Sequence, residues 1–190
     1  NILRPDDSTF HTFYWDAETG EPLRGATEQG AFDESCWARG QAWGVYGCAM
    51  NYAVVGDERL LAAARRCADY FLRHLPADEV PFWDLVYTDG SDAPRDSSSA
   101  AIVVCGLLEL ARVETDAARA VEWTARAHAI LASLIANYAP SQPEDSDGLI
   151  LHSVYDMPKD VGVDEGTLWG DYFYLEALMR VSRPEWKKYW

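Results

Sequence analysis

A chain of 190 residues that is 48% hydrophobic is long enough for one domain with a substantial core. Its 31 acidic residues against 16 basic ones give a net charge of -15, and no cluster of Lys and Arg is visible. That excludes a phosphate-binding face, so no nucleic acid is expected as a partner. The longest apolar runs, such as residues 100–108, are too short to cross a bilayer, so no membrane partner is expected either. An acidic chain that binds an anion must hold a specific local cation against its own field, so each Arg in a motif carries weight.

The four cysteines are Cys36, Cys48, Cys67 and Cys105. None forms a CxxC pair or has a His at metal-ligand spacing, so they read as small buried side chains, with no disulfide, metal or cofactor expected. The chain begins at Asn1 rather than Met, and an upstream portion is expected. No segment reads as a signal peptide. Free cysteines favour the cytoplasm, with the periplasm and the exterior still open.

Residues 8–24 read as strand, turn, strand: Thr, Phe, Tyr and Trp suit a pleated surface, and Gly20 with Pro22 punctuates the turn. A first helix is expected from a cap at Asp33 or Ser35 to Gly56, apolar on more than one face. Asp57 caps a second, amphipathic helix over residues 58–75. Residues 76–96 form a loop rich in Pro and Asp around Phe82, Trp83 and Tyr87. A third helix, apolar nearly all round, spans residues 97–113, and a fourth, amphipathic, spans 117–138. Residues 139–163 read as loop with one short apolar stretch. A fifth helix covers 168–181, and an aromatic tail runs from Trp186 to Trp190. Fully apolar helices alternating with amphipathic ones predict two rows, an inner one walled in and an outer one half solvated.

The segment Trp37-Ala38-Arg39-Gly40-Gln41-Ala42-Trp43 is the most unusual. A guanidinium cannot lose its charge, so burial of Arg39 demands an anionic partner. A carboxylate-bearing sugar fits: the indoles of Trp37 and Trp43 suit the C–H face of a ring, and the Arg39 fork suits a carboxylate. A core Trp pair with Arg39 joined to an internal Asp fits equally well. His11, among aromatics on the hairpin, reads as a surface or satisfied histidine or as a site residue. Asp96 reads as the cap of the third helix or as an acid at the mouth of a barrel. Asp171 reads as a structural acceptor for a buried donor. No nucleophile elbow and no phosphate loop is present.

In three further blocks the chain resembles the unsaturated glucuronyl hydrolase family of glycoside hydrolases. These are Ser8-Thr9-Phe10-His11-Thr12-Phe13-Tyr14, Gly25-Ala26-Thr27-Glu28-Gln29-Gly30, and Asp33-Glu34-Ser35-Cys36 leading into the Trp37–Trp43 segment. Pro94-Arg95-Asp96-Ser97-Ser98 and the stretch from Gly166 to Leu178 follow in the family's order. The resemblance implies an all-α fold, an (α/α)6 barrel of which this chain is roughly the C-terminal half. Residues 1–32 would be a hairpin and loop lining the pocket, and 33–190 the helical hairpins. It implies that His11, Gln29, Trp37, Arg39 and Trp43 contact an unsaturated uronate at the end of a lyase-generated oligosaccharide. It also implies hydration of a vinyl ether double bond, with an aspartic acid as proton donor. The family's two catalytic aspartates lie upstream, so no catalytic residue is assigned within this chain, and the upstream half of the same protein is the expected partner. The related unsaturated rhamnogalacturonyl hydrolases share the Trp-Ala-Arg-Gly segment, and a noncatalytic helical carbohydrate-binding module is a further alternative.

Overall fold

A computed structural model describes residues 1–142, 144, 146–183 and 185–187, so the end of the expected aromatic tail lies outside the described residues. Five α-helices carry the architecture: α1 Ala38–Val55, α2 Glu58–Arg73, α3 Ser97–Val113, α4 Ala117–Ser133 and α5 Leu168–Ser182. Helix α3 is the centre. Its residues from Ala100 to Leu107 are all buried, as an all-round apolar helix requires. It packs against α1 on one side, α5 on the other and α4 behind. Contact with α1 is backbone to backbone: a Cβ at Gly106 would lie 2.9 Å from the Tyr46 nitrogen.

Helices α2 and α4 form the outer row. Each buries one stripe: Leu61, Ala64, Cys67, Ala68 and Phe71 on α2, and Trp123, Ala127, Ile130 and Leu131 on α4. Each starts on an aspartate: Asp57 accepts from the Arg59 N–H, and Asp116 from those of Ala118 and Arg119. Helix α4 ends in a π-helical turn, Leu134–Tyr138, instead of running on as one regular helix. There the Tyr138 hydroxyl donates to Asp78 Oδ2 at 2.7 Å, tying the turn to the 76–96 loop.

Two expectations need correction. The first helix begins at Ala38, not at Asp33 or Ser35, because residues before it are held by tertiary contacts. Asp84, fully buried, accepts from the Ala31 N–H at 2.9 Å, the Ser35 hydroxyl at 2.5 Å and the Cys36 N–H at 3.2 Å. The Ala38 N–H donates to the Trp83 carbonyl at 3.0 Å instead of to a capping side chain. Second, the 139–163 loop contains strand β3, Ser153–Asp156, and the start of β4, Val161–Glu165, an antiparallel hairpin closed by a 3-10 turn over Met157–Lys159. The hairpin of β1, Thr12–Trp15, with β2, Pro22–Ala26, is antiparallel as the strand-turn-strand reading predicts.

Each inner helix is entered from a long connection: α1 from the first hairpin, α3 from the 76–96 loop, α5 from the second hairpin. These connections meet at one end of the molecule. Trp37 bridges to Asp84, the Ser97 N–H donates to the His152 carbonyl at 3.1 Å, and Trp169 Nε1 donates to Ser98 Oγ at 3.0 Å. Three inner-helix N-termini, each with a partial positive charge, therefore gather in one place.

Candidate functional site

At that end the side chains form a layered stack. The His11 ring lies 4.3 Å from the Trp37 ring, centroid to centroid. The Arg39 guanidinium sits 4.6 Å from the Trp37 ring and 5.1 Å from that of Trp169. Trp169 in turn meets Tyr155 at 5.5 Å. A weakly hydrated planar cation between two indoles is favourable when solvent is excluded.

Arg39 is 3% exposed. Its Nη1 donates to Asp96 Oδ2 at 3.0 Å, to Ser98 Oγ at 3.3 Å and to the Val154 carbonyl. Its Nη2 donates to the Tyr155 carbonyl at 2.7 Å. Both ends of the fork are thus engaged within the fold, with an internal aspartate as partner. Burial pulls the guanidinium below its ordinary value, and Asp96 opposes that pull. Asp96 stands at the cap position of α3, yet its carboxylate makes no cap hydrogen bond. It accepts instead from Arg39 and, at 2.5 Å, from the Ser98 hydroxyl. Arg39 and Asp96 together pin β3 onto the N-termini of α1 and α3.

His11 Nδ1 accepts from the backbone N–H groups of Glu28 and Gln29, each at 3.2 Å. That fixes the proton of the neutral ring on Nε2 and makes this edge a donor. Burial lowers the His11 pKa; Arg39 and Lys159 lower it further, while Glu28 and Asp156 oppose them. The Gln29 side-chain amide donates to the Tyr155 carbonyl at 2.8 Å, joining the hairpins. Trp37, at 8% exposure, has both His11 and Arg39 against it and supports them from behind. Trp43 lies further along α1, 36% exposed, with Tyr46 and Phe173 as its ring neighbours. The structure therefore brings His11, Gln29, Trp37 and Arg39 together and sets Trp43 on the adjoining face toward α5.

No family model matches the chain. It is 48% identical, over its whole length, to an unsaturated chondroitin disaccharide hydrolase of Streptococcus pneumoniae, of which it covers 48%. It superposes on an unsaturated glucuronyl hydrolase of Streptococcus agalactiae with a TM-score of 0.93 at 46% identity, covering all of this chain and 48% of that one. A variant of that enzyme complexed with dGlcA-GalNAc6S matches with a TM-score of 0.88 at 46% identity, over all of this chain and 50% of that one. Over its whole length the chain is similar to one half of the unsaturated glucuronyl hydrolases. It spans about half the length of the curated relatives it matches and has the two-row helical build of part of an α/α barrel.

The sequence alone does not single out Tyr155, Asp156 and Trp169. Tyr155 is 46% exposed at the edge of the stack. Asp156 is 4% exposed; its Oδ2 accepts from Lys159 Nζ at 2.7 Å, and its Oδ1 is buried without a partner among the described residues. All three sit on or next to a hairpin that reads as loop, which hid their placement. Asp171, read as structural, accepts from the Leu149 and Ile150 N–H groups at 2.8 and 3.2 Å and anchors the segment entering that hairpin.

Proposed function

We propose that the chain is the substrate-holding part of a glycoside hydrolase that releases the terminal 4,5-unsaturated uronic acid from lyase-generated oligosaccharides of glycosaminoglycan type. The observation that carries this reading is the neutral His11, with its Nε2–H donor edge, held on Trp37 beside Gln29 where three helix N-termini converge. The N-termini and the His11 donor attract a carboxylate locally although the chain as a whole carries -15.

In this reading the exposed rings of Trp43 and Tyr155 meet the apolar face of the sugar. His11 and Gln29 orient the uronate; Trp37 and Arg39 hold those groups in place. The reaction is hydration of the ring's vinyl ether: a proton goes to C4 and water adds at C5. The hemiketal then opens, and the remaining sugar leaves. The proton donor is assigned to the part of the relatives' length that this chain does not match. The same portion would cover the flanks of α1 and α5, where Val54, Val55, Leu168, Tyr172 and Leu175 are exposed.

The test is to give the full-length protein unsaturated disaccharides from chondroitin and hyaluronan and follow their conjugated ultraviolet absorbance. Its loss is the expected result. Activity confined to unsaturated galacturonyl-rhamnose would move the assignment to the pectin-directed relatives. Binding without loss of absorbance would leave a noncatalytic sugar-binding module.

A further inference from the structure

Asp84 is fully buried at the heart of the 76–96 loop, and its carboxylate takes only donors among the described residues. Oδ2 accepts from the Ala31 N–H at 2.9 Å and the Ser35 hydroxyl at 2.5 Å. Oδ1 accepts from the Cys36 N–H at 3.2 Å and the Val86 N–H at 3.1 Å. The two oxygens hold two different supports of one imidazole. Through Oδ2, Asp84 holds Ala31, and with it the turn that aims the Glu28 and Gln29 N–H groups at His11 Nδ1. That turn closes directly on the carboxylate. A Cβ at Gly30 would lie 3.1 Å from Asp84 Oδ2 and 2.6 Å from Thr27 Oγ1, which accepts from the Gly30 N–H at 2.7 Å. Through Oδ1, Asp84 holds Cys36, next to Trp37; Trp37 itself bridges to Asp84, and its ring lies against that of His11.

We infer that Asp84 is a positioning residue for His11: one carboxylate sets both the edge and the face on which the imidazole rests, and so fixes where its Nε2–H points. The inference rests on the hydrolase reading above. A carboxylate suits the task because both of its oxygens accept, each from more than one donor. A buried N–H that loses its acceptor is costly, so the turn stays where Asp84 holds it. Asparagine separates the two duties. Its amide oxygen can serve the Cys36 and Val86 N–H groups, neither of which can accept. Its amide N–H group then faces Ser35, whose hydroxyl can turn and accept. Only the Ala31 N–H is left without an acceptor. Asp84→Asn therefore frees the Nδ1 edge of His11 and leaves the indole in place. Ser35→Ala removes a hydrogen bond to the same oxygen without releasing Ala31.

The test uses the full-length protein and reads His11 directly by nuclear magnetic resonance with isotope-labelled histidine. The His11 ring signals are those missing from His11→Asn. In the wild type they should show a single tautomer with Nδ1 unprotonated. Asp84→Asn should move them toward a mixture of tautomers and lower kcat/KM for an unsaturated chondroitin disaccharide about tenfold, as loss of orientation does. Ser35→Ala should lower the melting temperature, as a lost buried hydrogen bond does, yet leave the His11 signals and kcat/KM near those of the wild type. Should Asp84→Asn not fold, hydrogen exchange of the wild type decides: the Glu28, Gln29 and Ala31 amides should be slowed together and by a common factor. A folded Asp84→Asn in which either the His11 signals or kcat/KM stays at the wild-type value overturns this inference and leaves the hydrolase reading standing. So does Ser35→Ala moving both as far as Asp84→Asn, or an Ala31 amide that stays slow while those of Glu28 and Gln29 exchange freely. A wild type inactive on every unsaturated disaccharide removes both readings, whatever the His11 signals show.

Discussion

Arg39 Nη1 reaches Asp96 Oδ2 at 3.0 Å across 57 positions of sequence, with both side chains buried. Around this contact three parts of the chain are fixed to one another: the start of α1, the start of α3 and strand β3. A lysine at position 39 keeps the charge but cannot reach Asp96, Val154 and Tyr155 at once. Arg39→Lys should cost about 1.5–3 kcal/mol of stability, the range for hydrogen bonds to a charged group. Denaturant unfolding measures this. Activity per folded molecule should fall as well, since Gln29 is held through the same Tyr155 carbonyl. Unchanged stability with lost activity would instead show the guanidinium acting directly on a ligand.

His11 offers a finer dissection. The amide oxygen of His11→Asn can still accept from the Glu28 and Gln29 N–H groups, but the Nε2–H donor is gone. Stability should stay within about 1 kcal/mol of the wild type. The kcat/KM should fall by about tenfold or more, the worth of one charge-assisted hydrogen bond. His11→Ala should lose both.

The pH dependence follows from the same contacts. Protonation at Nδ1 would aim a third donor at two backbone N–H groups, and burial already holds the His11 pKa down. Below the ordinary histidine value of about 6.5 the unfolded chain takes the proton first, so stability falls as pH drops. The decline ends once the folded ring is protonated too. Comparing thermal melts of wild type and His11→Asn between about pH 7.5 and 5 isolates the contribution, which the variant should lack.

Gly106 marks the closest approach of the inner row. Its Cβ position is 2.9 Å from the Tyr46 nitrogen and 3.0 Å from Val45 Cγ1. Backbone cannot yield as a flexible side chain does, so Gly106→Ala should destabilise by about 1–3 kcal/mol. A melting temperature equal to the wild type would mean that α1 and α3 sit further apart.

The flanks of α1 and α5 give a prediction about the whole protein. Residues 1–190 produced alone should bind a hydrophobic dye and self-associate, whereas the full-length protein should do neither. Leu175→Glu on the exposed face of α5 should improve the solubility of the isolated chain and destabilise the full-length protein.

What could be read from sequence was local. Asp57 with its apolar stripe announced α2, and the unbroken apolar run announced α3, because cap chemistry and periodicity act over a few residues. The start of α1 could not be read, since Trp37 has no capping side chain and the helix is entered through Trp83 and Asp84. The second hairpin was hidden by Pro158 and by positive φ at residues that are not glycine: His152 before β3, Asp160 in the turn and Asp164 in β4. Of the site, the Trp37–Trp43 segment stood out, and both partners offered for Arg39 were chemically sound. The internal contact became visible only in the fold, because Asp96 and the carbonyls of Val154 and Tyr155 are remote in the chain.

The most direct test of the account compares an unsaturated disaccharide with its saturated counterpart on the full-length protein. Hydration of a vinyl ether requires the double bond; displacement at the glycosidic carbon does not. The account predicts loss of the conjugated absorbance with release of one free sugar per double bond consumed, and no cleavage of the saturated compound. Equal cleavage of both, or persistence of the absorbance while the sugars separate, would contradict it.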